Sequence, residues 1–251
     1  MLLAAHALTD EHDSLHAIPG FADPVSSLTH LIAAGIFAFA SISLLRSARG
    51  HRGRLIALSI YAGSVVLLLA MSGVFHLLTP ETAGRTVLQR LDHACIFVLI
   101  AGTFTAVHGI VFHGWLRWGI IAFVWVVAAT AIPLKTIFFE DMPEWLGLTL
   151  YLAFPWVGLL SGILLWRRHG VRFISPFLLG GVAYTIGAVL EFVRWPNPWP
   201  GVIHAHELFH LFVIAGAGWH WQFCATIAQL ARAEELSARP VGPEFQPSRS
   251  D

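Results

Sequence analysis

Seven long apolar stretches constrain the fold of this chain more than any other feature of its sequence. They lie near residues 26–46, 55–78, 90–112, 115–134, 146–166, 174–194 and 206–230. A helix needs about 20 mostly apolar residues to cross the hydrocarbon core of a bilayer, and each stretch has that length. The connections between the stretches are short, so consecutive helices must run antiparallel as neighbours. The sequence therefore predicts an all-α integral membrane protein, a bundle of seven transmembrane helices.

The composition also favours a membrane protein over a soluble domain. Of the 251 residues, 56% are hydrophobic and 12% are charged, and this charged fraction is about half of what soluble proteins carry. The formal net charge is zero, which gives no indication of a nucleic-acid partner. Membrane lipids are the partners that this composition leads us to expect, and the number of chains in the assembly is left open.

We predict one transmembrane domain at 23–232, between a polar N-terminal tail at 1–22 and a C-terminal tail at 233–251 that we expect to be disordered. Four lysines and arginines fall on the N-terminal side of the bundle and eleven on the opposite side. Basic residues concentrate on the cytoplasmic side of a membrane, so this count predicts an outward N-terminus in a bacterial plasma membrane. Three tail histidines are expected to be solvated rather than metal-bound, namely His6, His12 and His16.

The ionisable side chains inside the predicted helices gather at one end of the bundle. Odd-numbered helices start on the N-terminal side and even-numbered helices end there, and the polar residues follow this alternation. This polar layer contains Asp23, Ser26, His30, Ser72, His76, Asp92, His93, Glu191, His206, Glu207 and His210. Ionisable groups inside a membrane are expensive and usually functional. Their convergence on one layer therefore predicts a site.

The histidines of this layer have the spacing of metal ligands. The stretch "HELFH" places His206 and His210 one helical turn apart, so that both can bind one ion. A catalytic zinc takes three protein ligands and leaves one position for water, and His76 lies at the matching depth to be the third. We predict a Zn²⁺ cofactor held by these three histidines. Ser72, one turn before His76, and Asp92 are the predicted catalytic residues beside it.

Glu207 has two interpretations. In soluble zinc proteases with the His-Glu-x-x-His pattern the glutamate is the general base, which makes Glu207 a third catalytic candidate. A carboxylate in the first turn of a helix is also favoured by the helix dipole, and the sequence leaves both interpretations open. Single histidines such as His30, His93 and His108 are more often hydrogen-bonded packing residues than ligands.

Three motifs resemble those of the hemolysin III branch of the progestin and adipoQ receptor family. The family pattern Glu-x2-Asn-x3-His corresponds to "DPVSSLTH", the pattern Ser-x3-His with a following Asp corresponds to "MSGVFHLL" and "LDHACIF", and the pattern His-x3-His corresponds to "HELFH". The similarity runs over roughly residues 22–225. The matching positions are Asp23, Ser26, His30, Ser72, His76, Asp92, His206 and His210.

The resemblance implies a seven-helix fold, with zinc on the histidines of the second and third motifs and with Ser72 and Asp92 assisting a water. It also implies a relation to the alkaline ceramidases, which are grouped with this family as transmembrane hydrolases. Asp23 and Ser26 replace the usual glutamate and asparagine, so the first motif, with His30, is a further candidate part of the site whose role is open. The animal receptors of the family have a cytoplasmic N-terminus, opposite to the orientation that the charge count predicts here.

Four functions compete on these grounds. The leading prediction is a zinc-dependent intramembrane hydrolase that cleaves a lipid amide or acyl bond through a zinc-activated water. The alternative is a non-enzymatic receptor or regulator of membrane fluidity or energetics with structural zinc. A pore-forming hemolysin requires a polar stripe through both leaflets, which no predicted helix shows. An intramembrane metalloprotease takes its third ligand from a Leu-Asp-Gly type of motif, and "LDHA" lacks the glycine.

Overall fold

The computed structural model of the chain describes residues 17–237, which form eight helices and, apart from two isolated β-bridges, no β-structure. The tail histidines and most of both predicted tails lie outside the described residues. The helices are α1 (Pro24–Ser47), α2 (Arg52–Phe75), α3 (Ala83–Val111), α4 (Gly114–Ile137), α5 (Glu144–Trp156), α6 (Leu159–His169), α7 (Val171–Val193) and α8 (Ala205–Ser237).

Seven membrane spans are confirmed within this part of the chain. Six spans are single helices, and α5 and α6 together form the fifth. The last helix, α8, continues to Ser237, beyond the end near residue 230 that hydrophobicity predicts. Alanine, glutamate, leucine and arginine fill this extension, and all of them favour helix. Within the extension, Glu235 forms an ion pair with Arg54 of α2, with 2.8 Å between the carboxylate oxygen and the guanidinium nitrogen.

The fifth span is broken, whereas the sequence predicted one continuous helix. Proline has no backbone N–H, and its ring clashes with the preceding turn, so Pro155 interrupts the helical hydrogen bonds. The backbone N–H of Gly158 donates to the carbonyl of Pro155 at 3.0 Å and closes a turn between the two helices. A Cβ on Gly158 would lie 3.0 Å from the ring of Phe104. The break therefore brings the backbone close to α3.

Helix α8 lies at the centre of the packing and contacts α1, α2, α3 and α7. Tyr61 of α2 is fully buried, and its hydroxyl donates to the carbonyl of Ala217 on α8 at 3.4 Å. Small residues allow α7 to approach α8 closely, as is common between membrane helices. A Cβ on Gly180 would lie only 2.2 Å from the ring of His220. The position of α8 is thus fixed from several sides.

The outer surface is apolar, as a lipid-facing surface must be. Large side chains such as Phe39, Ile32 and Val126 are more than 60% exposed, which would be an aggregation hazard on a soluble protein. Tryptophans near the ends of the spans are between 54% and 81% exposed, in agreement with the interfacial belt that membrane proteins show. These are Trp115, Trp118, Trp145, Trp166, Trp195 and Trp199.

The contact between α7 and α8 can be tested with two neighbouring glycines. Gly180→Ala should destabilise the protein by about 1–3 kcal/mol, because the new methyl group overlaps the ring of His220. Gly181→Ala should cause no loss of stability, since nothing lies within 4 Å of a Cβ at that position. Thermal unfolding of the two variants in the same detergent measures the difference. Equal melting temperatures would contradict the packing described here.

Candidate metal centre

The site lies at the end of the bundle where α1, α3 and α8 begin and where α2 and α7 end. The backbone at the start of α1 pairs with the end of α2. The N–H of Ala22 donates to the carbonyl of Leu77 at 3.3 Å, and the N–H of Asp23 donates to the carbonyl of His76 at 3.0 Å. These bonds hold the first and second motifs side by side, although they are about 50 residues apart in the chain.

Three imidazoles converge at this end of the bundle. Nε2 of His206 lies 3.0 Å from Nε2 of His210 and 3.3 Å from Nε2 of His76. His76 and His210 are buried, whereas the side chain of His206 is 37% exposed. Among the residues that the structure describes, these three form the one group of histidine, cysteine or acidic side chains with the geometry to hold a metal ion. The structure thus brings together the trio predicted from spacing and depth.

The donor set of this trio fits a divalent transition metal. Imidazole nitrogen is a ligand for zinc, copper, iron and nickel. A tetrahedral zinc at about 2.0–2.1 Å from its ligands separates the ligand nitrogens by roughly 3.3 Å, which is close to the two Nε2 separations observed. The side chains therefore need little rearrangement to bind such an ion.

Asp23 holds the Nδ1 side of His76, and Arg85 in turn holds Asp23. Nδ1 of His76 lies 2.8 Å from Oδ2 of Asp23, and the guanidinium of Arg85 donates to the same oxygen at 2.6 Å. Arg85 also donates to the carbonyl of Leu78, next to the end of α2. Burial by itself would raise the pKa of Asp23, but the hydrogen bonds from His76 and Arg85 outweigh it and hold this pKa below its ordinary value. The carboxylate is therefore ionised at neutral pH.

The other two histidines of the trio have partners of their own. Nδ1 of His206 lies 3.0 Å from Oε1 of Glu191 at the end of α7. Nδ1 of His210 lies 2.9 Å from Nε2 of His30 on α1. Each imidazole of the trio thus has a partner at Nδ1 while its Nε2 points to the common centre.

Ser72 and Asp92 lie beside the trio. Ser72 is buried in the last turns of α2 and lies close to the carboxylate of Asp92 on α3, which is also within electrostatic reach of His206. Both side chains line the cavity described below. The structure therefore places the two leading catalytic candidates at the border between the histidines and the cavity.

Glu207 is hydrogen-bonded to residues outside the group of converging histidines. It is fully buried, and its two oxygens accept hydrogen bonds from the hydroxyl of Ser26 at 3.0 Å and from the backbone N–H of His204 at 2.9 Å. The second bond, from the N–H of the N-cap residue to the carboxylate three residues later, is one of the two bonds of a capping box at the start of α8. Glu207 and Ser26 therefore join the start of α8 to the start of α1.

The remaining histidines of the sequence analysis separate into two kinds. Nδ1 of His93 donates to the carbonyl of Gln89 at 2.8 Å, and Nδ1 of His108 donates to the carbonyl of Leu116 at 2.6 Å. Both are hydrogen-bonded packing residues, as is usual for single histidines in helices. His30 differs, because it contacts a member of the trio.

Two residues of the site, Glu191 and Arg85, lie outside the three motifs. Glu191 was recognised only as a member of the polar layer, and its position as an acid in the last turn of an apolar helix was the available signal. Arg85 is one of the four basic residues on the N-terminal side of the bundle. Nothing in the local sequence indicates that Arg85 reaches Asp23, because that contact depends on how α3 packs beside the start of α1.

A cavity of about 190 Å³ adjoins the site, between α3 and the broken fifth span on one side and α7 and α8 on the other. Its walls are mainly apolar, and Ser72, Asp92 and His30 contribute polar groups at the site. Three of its apolar lining residues are more than 40% exposed on the surface of the bundle, namely Trp156, Leu159 and Leu178. The cavity therefore extends from the site to residues of α5, α6 and α7 that are also exposed on the lipid-facing surface.

Together the fold and the site define a class, a multi-pass integral membrane protein with three histidines converging at one end of a seven-helix bundle. A family model described as "Haemolysin-III related" matches residues 21–221, most of the chain. The chain belongs to this family. The resemblance drawn from the motifs is thereby confirmed.

Individual relatives agree with this assignment. The protein is 28% identical to Hemolysin-3 of Bacillus cereus, over 83% of this chain and 92% of that protein. It is 27% identical to a Hemolysin-3 homolog of Bacillus subtilis (strain 168), over 67% of this chain and 75% of the relative. It is also 26% identical to Heptahelical transmembrane protein ADIPOR3 of Oryza sativa subsp. japonica, over 64% of this chain and 44% of that longer protein.

The contacts of Glu207 predict a structural effect when this residue is changed. Glu207→Ala leaves the hydroxyl of Ser26 and the N–H of His204 without an acceptor, which should lower stability by about 1–3 kcal/mol. Glu207→Gln keeps one acceptor oxygen and should recover most of the loss. Thermal unfolding measures stability, and metal analysis of the folded protein should give equal content for all three forms. A stable Glu207→Ala protein that has lost its metal would contradict this interpretation.

Proposed function

We propose that the protein is a zinc-dependent hydrolase that cleaves an amide or acyl bond of a membrane lipid. The observation that carries the proposal is that the three converging histidines and an apolar cavity share one wall, formed by Ser72 and Asp92. The histidines provide a place for the metal, and the cavity provides a place for the apolar part of a lipid. The two polar side chains lie where these places meet.

Zinc is the metal that this ligand set favours. Three imidazoles with a free fourth position are typical of catalytic zinc, whereas structural zinc has four protein ligands. The nearby histidines do not supply a fourth ligand. His30 lies at Nδ1 of His210, and His93 is not one of the histidines whose ring nitrogens converge in the described structure. When bound, the zinc would supply Lewis acidity and lower the pKa of a water toward 7.

Asp92 has the position of the proton acceptor. A carboxylate at the border of the cavity can take a proton from a water held near the histidines and deliver it to the leaving nitrogen or oxygen of the substrate. The hydroxyl of Ser72 lies beside this carboxylate at the wall of the cavity. Glu207, whose oxygens are already engaged by Ser26 and the start of α8, is less suited to this role.

The cavity supports a lipid as the substrate. Its walls are apolar, and its exposed lining residues lie on the surface that faces hydrocarbon, so an acyl chain can enter sideways from the bilayer without crossing water. A chain seated there would bring its polar linkage to Ser72 and Asp92. The charge count of the loops would place this site toward the outer leaflet of a bacterial plasma membrane.

The role of Asp92 can be measured on the reconstituted protein. Liposomes containing the protein and a panel of fluorescent N-acyl and O-acyl lipids should release free fatty acid, and Asp92→Asn should lower the rate by about 10²-fold or more, since it removes a general base. Zinc content should not change, because Asp92 is not a ligand. Asp141→Asn, an exposed aspartate on the same side of the bundle, is the matched control and should keep full activity.

Two results would contradict this proposal. Turnover by Asp92→Asn at the wild-type rate would remove Asp92 from the mechanism. A zinc-loaded wild-type protein that cleaves no lipid of the panel would favour the non-enzymatic alternative, a receptor or regulator in which the metal is structural.

A further inference from the structure

We propose that Asp23, Glu191 and His30 are positioning residues for the metal centre. Each would accept the Nδ1–H of a different ligand histidine and so present Nε2 to the metal. This inference rests on the metal centre of the proposed function but not on any particular substrate. It gives a role to the first motif and to an acid on α7 outside all three motifs.

The argument begins with the chemistry of imidazole. A neutral histidine that binds a metal through Nε2 carries its proton on Nδ1, so that Nδ1 must be a donor. A carboxylate or another acceptor at Nδ1 fixes this tautomer, restrains the ring and makes Nε2 a better ligand. In this protein all three ligand rings have a partner at Nδ1 within 3.0 Å.

The partner of His76 is the most firmly held of the three. Asp23 is bonded to Nδ1 of His76 through its side chain and to the carbonyl of His76 through its backbone N–H. Arg85 fixes the carboxylate from the other side. A chain of contacts therefore runs from Arg85 through Asp23 to the ligand. The aspartate side chain, shorter than a glutamate, reaches Nδ1 of His76 at 2.8 Å.

The partner of His210 has a further consequence. Nε2 of His30 lies 2.9 Å from Nδ1 of His210 and 3.3 Å from the backbone carbonyl oxygen of the same residue. When Nε2 of His30 accepts the shorter bond, from Nδ1–H of His210, His30 carries its own proton on Nδ1. That Nδ1 is buried and has no hydrogen-bond partner among the described residues, and His30 is a lining residue of the cavity. His30 would thus connect a metal ligand with the wall of the cavity.

The partner of His206 offers the cleanest test, because Glu191 is partly exposed at the end of α7 and a substitution there leaves the helix packing intact. Zinc affinity of the purified protein, measured by competition with a chromophoric chelator, should fall about 10–100-fold in Glu191→Ala. Glu191→Gln retains an acceptor oxygen for Nδ1–H and should stay within a few-fold of the wild type. Glu140→Ala is the control, since this glutamate is 72% exposed and pairs only with Arg90 in the described structure.

A second pair of variants and a spectrum complete the experiment. Asp23→Ala and Asp23→Asn should repeat the pattern of the Glu191 pair at His76. The cobalt-substituted protein should show an altered visible absorption in the alanine variants but not in Glu140→Ala, because the ligand rings are less restrained. Thermal unfolding without metal identifies any variant that fails to fold, and in that case the Glu191 pair decides.

The inference is overturned if folded Glu191→Ala binds zinc as tightly as the wild type. It is also overturned if Glu191→Gln is as weak as Glu191→Ala, since the negative charge rather than the acceptor would then matter. A wild-type protein that binds no zinc refutes the proposed function itself and is distinguishable from both results.

Discussion

The structure depends on the mutual satisfaction of polar groups at one end of an apolar bundle. A polar side chain buried among membrane helices costs several kcal/mol unless it has a partner. Here the partners come from different helices, as in the pairs His76 with Asp23, His206 with Glu191, and Ser26 with Glu207. Each pair therefore acts as a tie between helix ends. The pairing that satisfies these groups also sets the geometry of the metal site.

The cavity follows from a different constraint, the interrupted fifth span. Pro155 stops α5, and Gly158 allows the turn to lie against Phe104 of α3. The residues around this break form part of the cavity wall, opposite α7. The break thus contributes to the space that adjoins the histidines, and it does so at a position where the bundle faces lipid. An intramembrane hydrolase requires catalytic groups on one side and a lipid-accessible space on the other.

Much of this arrangement could be predicted from the sequence, because position along a membrane helix translates directly into depth. The seven spans follow from hydrophobic length, and depth together with the one-turn spacing of "HELFH" selects His76, His206 and His210 from the histidines of the chain. What sequence does not give is the direction in which a side chain points around its helix. For that reason the capping geometry of Glu207, the contact of Arg85 with Asp23 and the role of Glu191 emerge only from the packed structure. The break at Pro155 was missed because the hydrophobic stretch continues through it.

The central claim is that three histidines from two distant helices bind one metal ion. The most direct measurement is the metal content of the purified protein beside its His206→Ala variant, with His169→Ala at the opposite end of the bundle as control. We expect about one zinc per chain in the wild type and in the control, and almost none in His206→Ala. A folded wild-type protein without bound metal, or a His206→Ala protein with full zinc content, would contradict it.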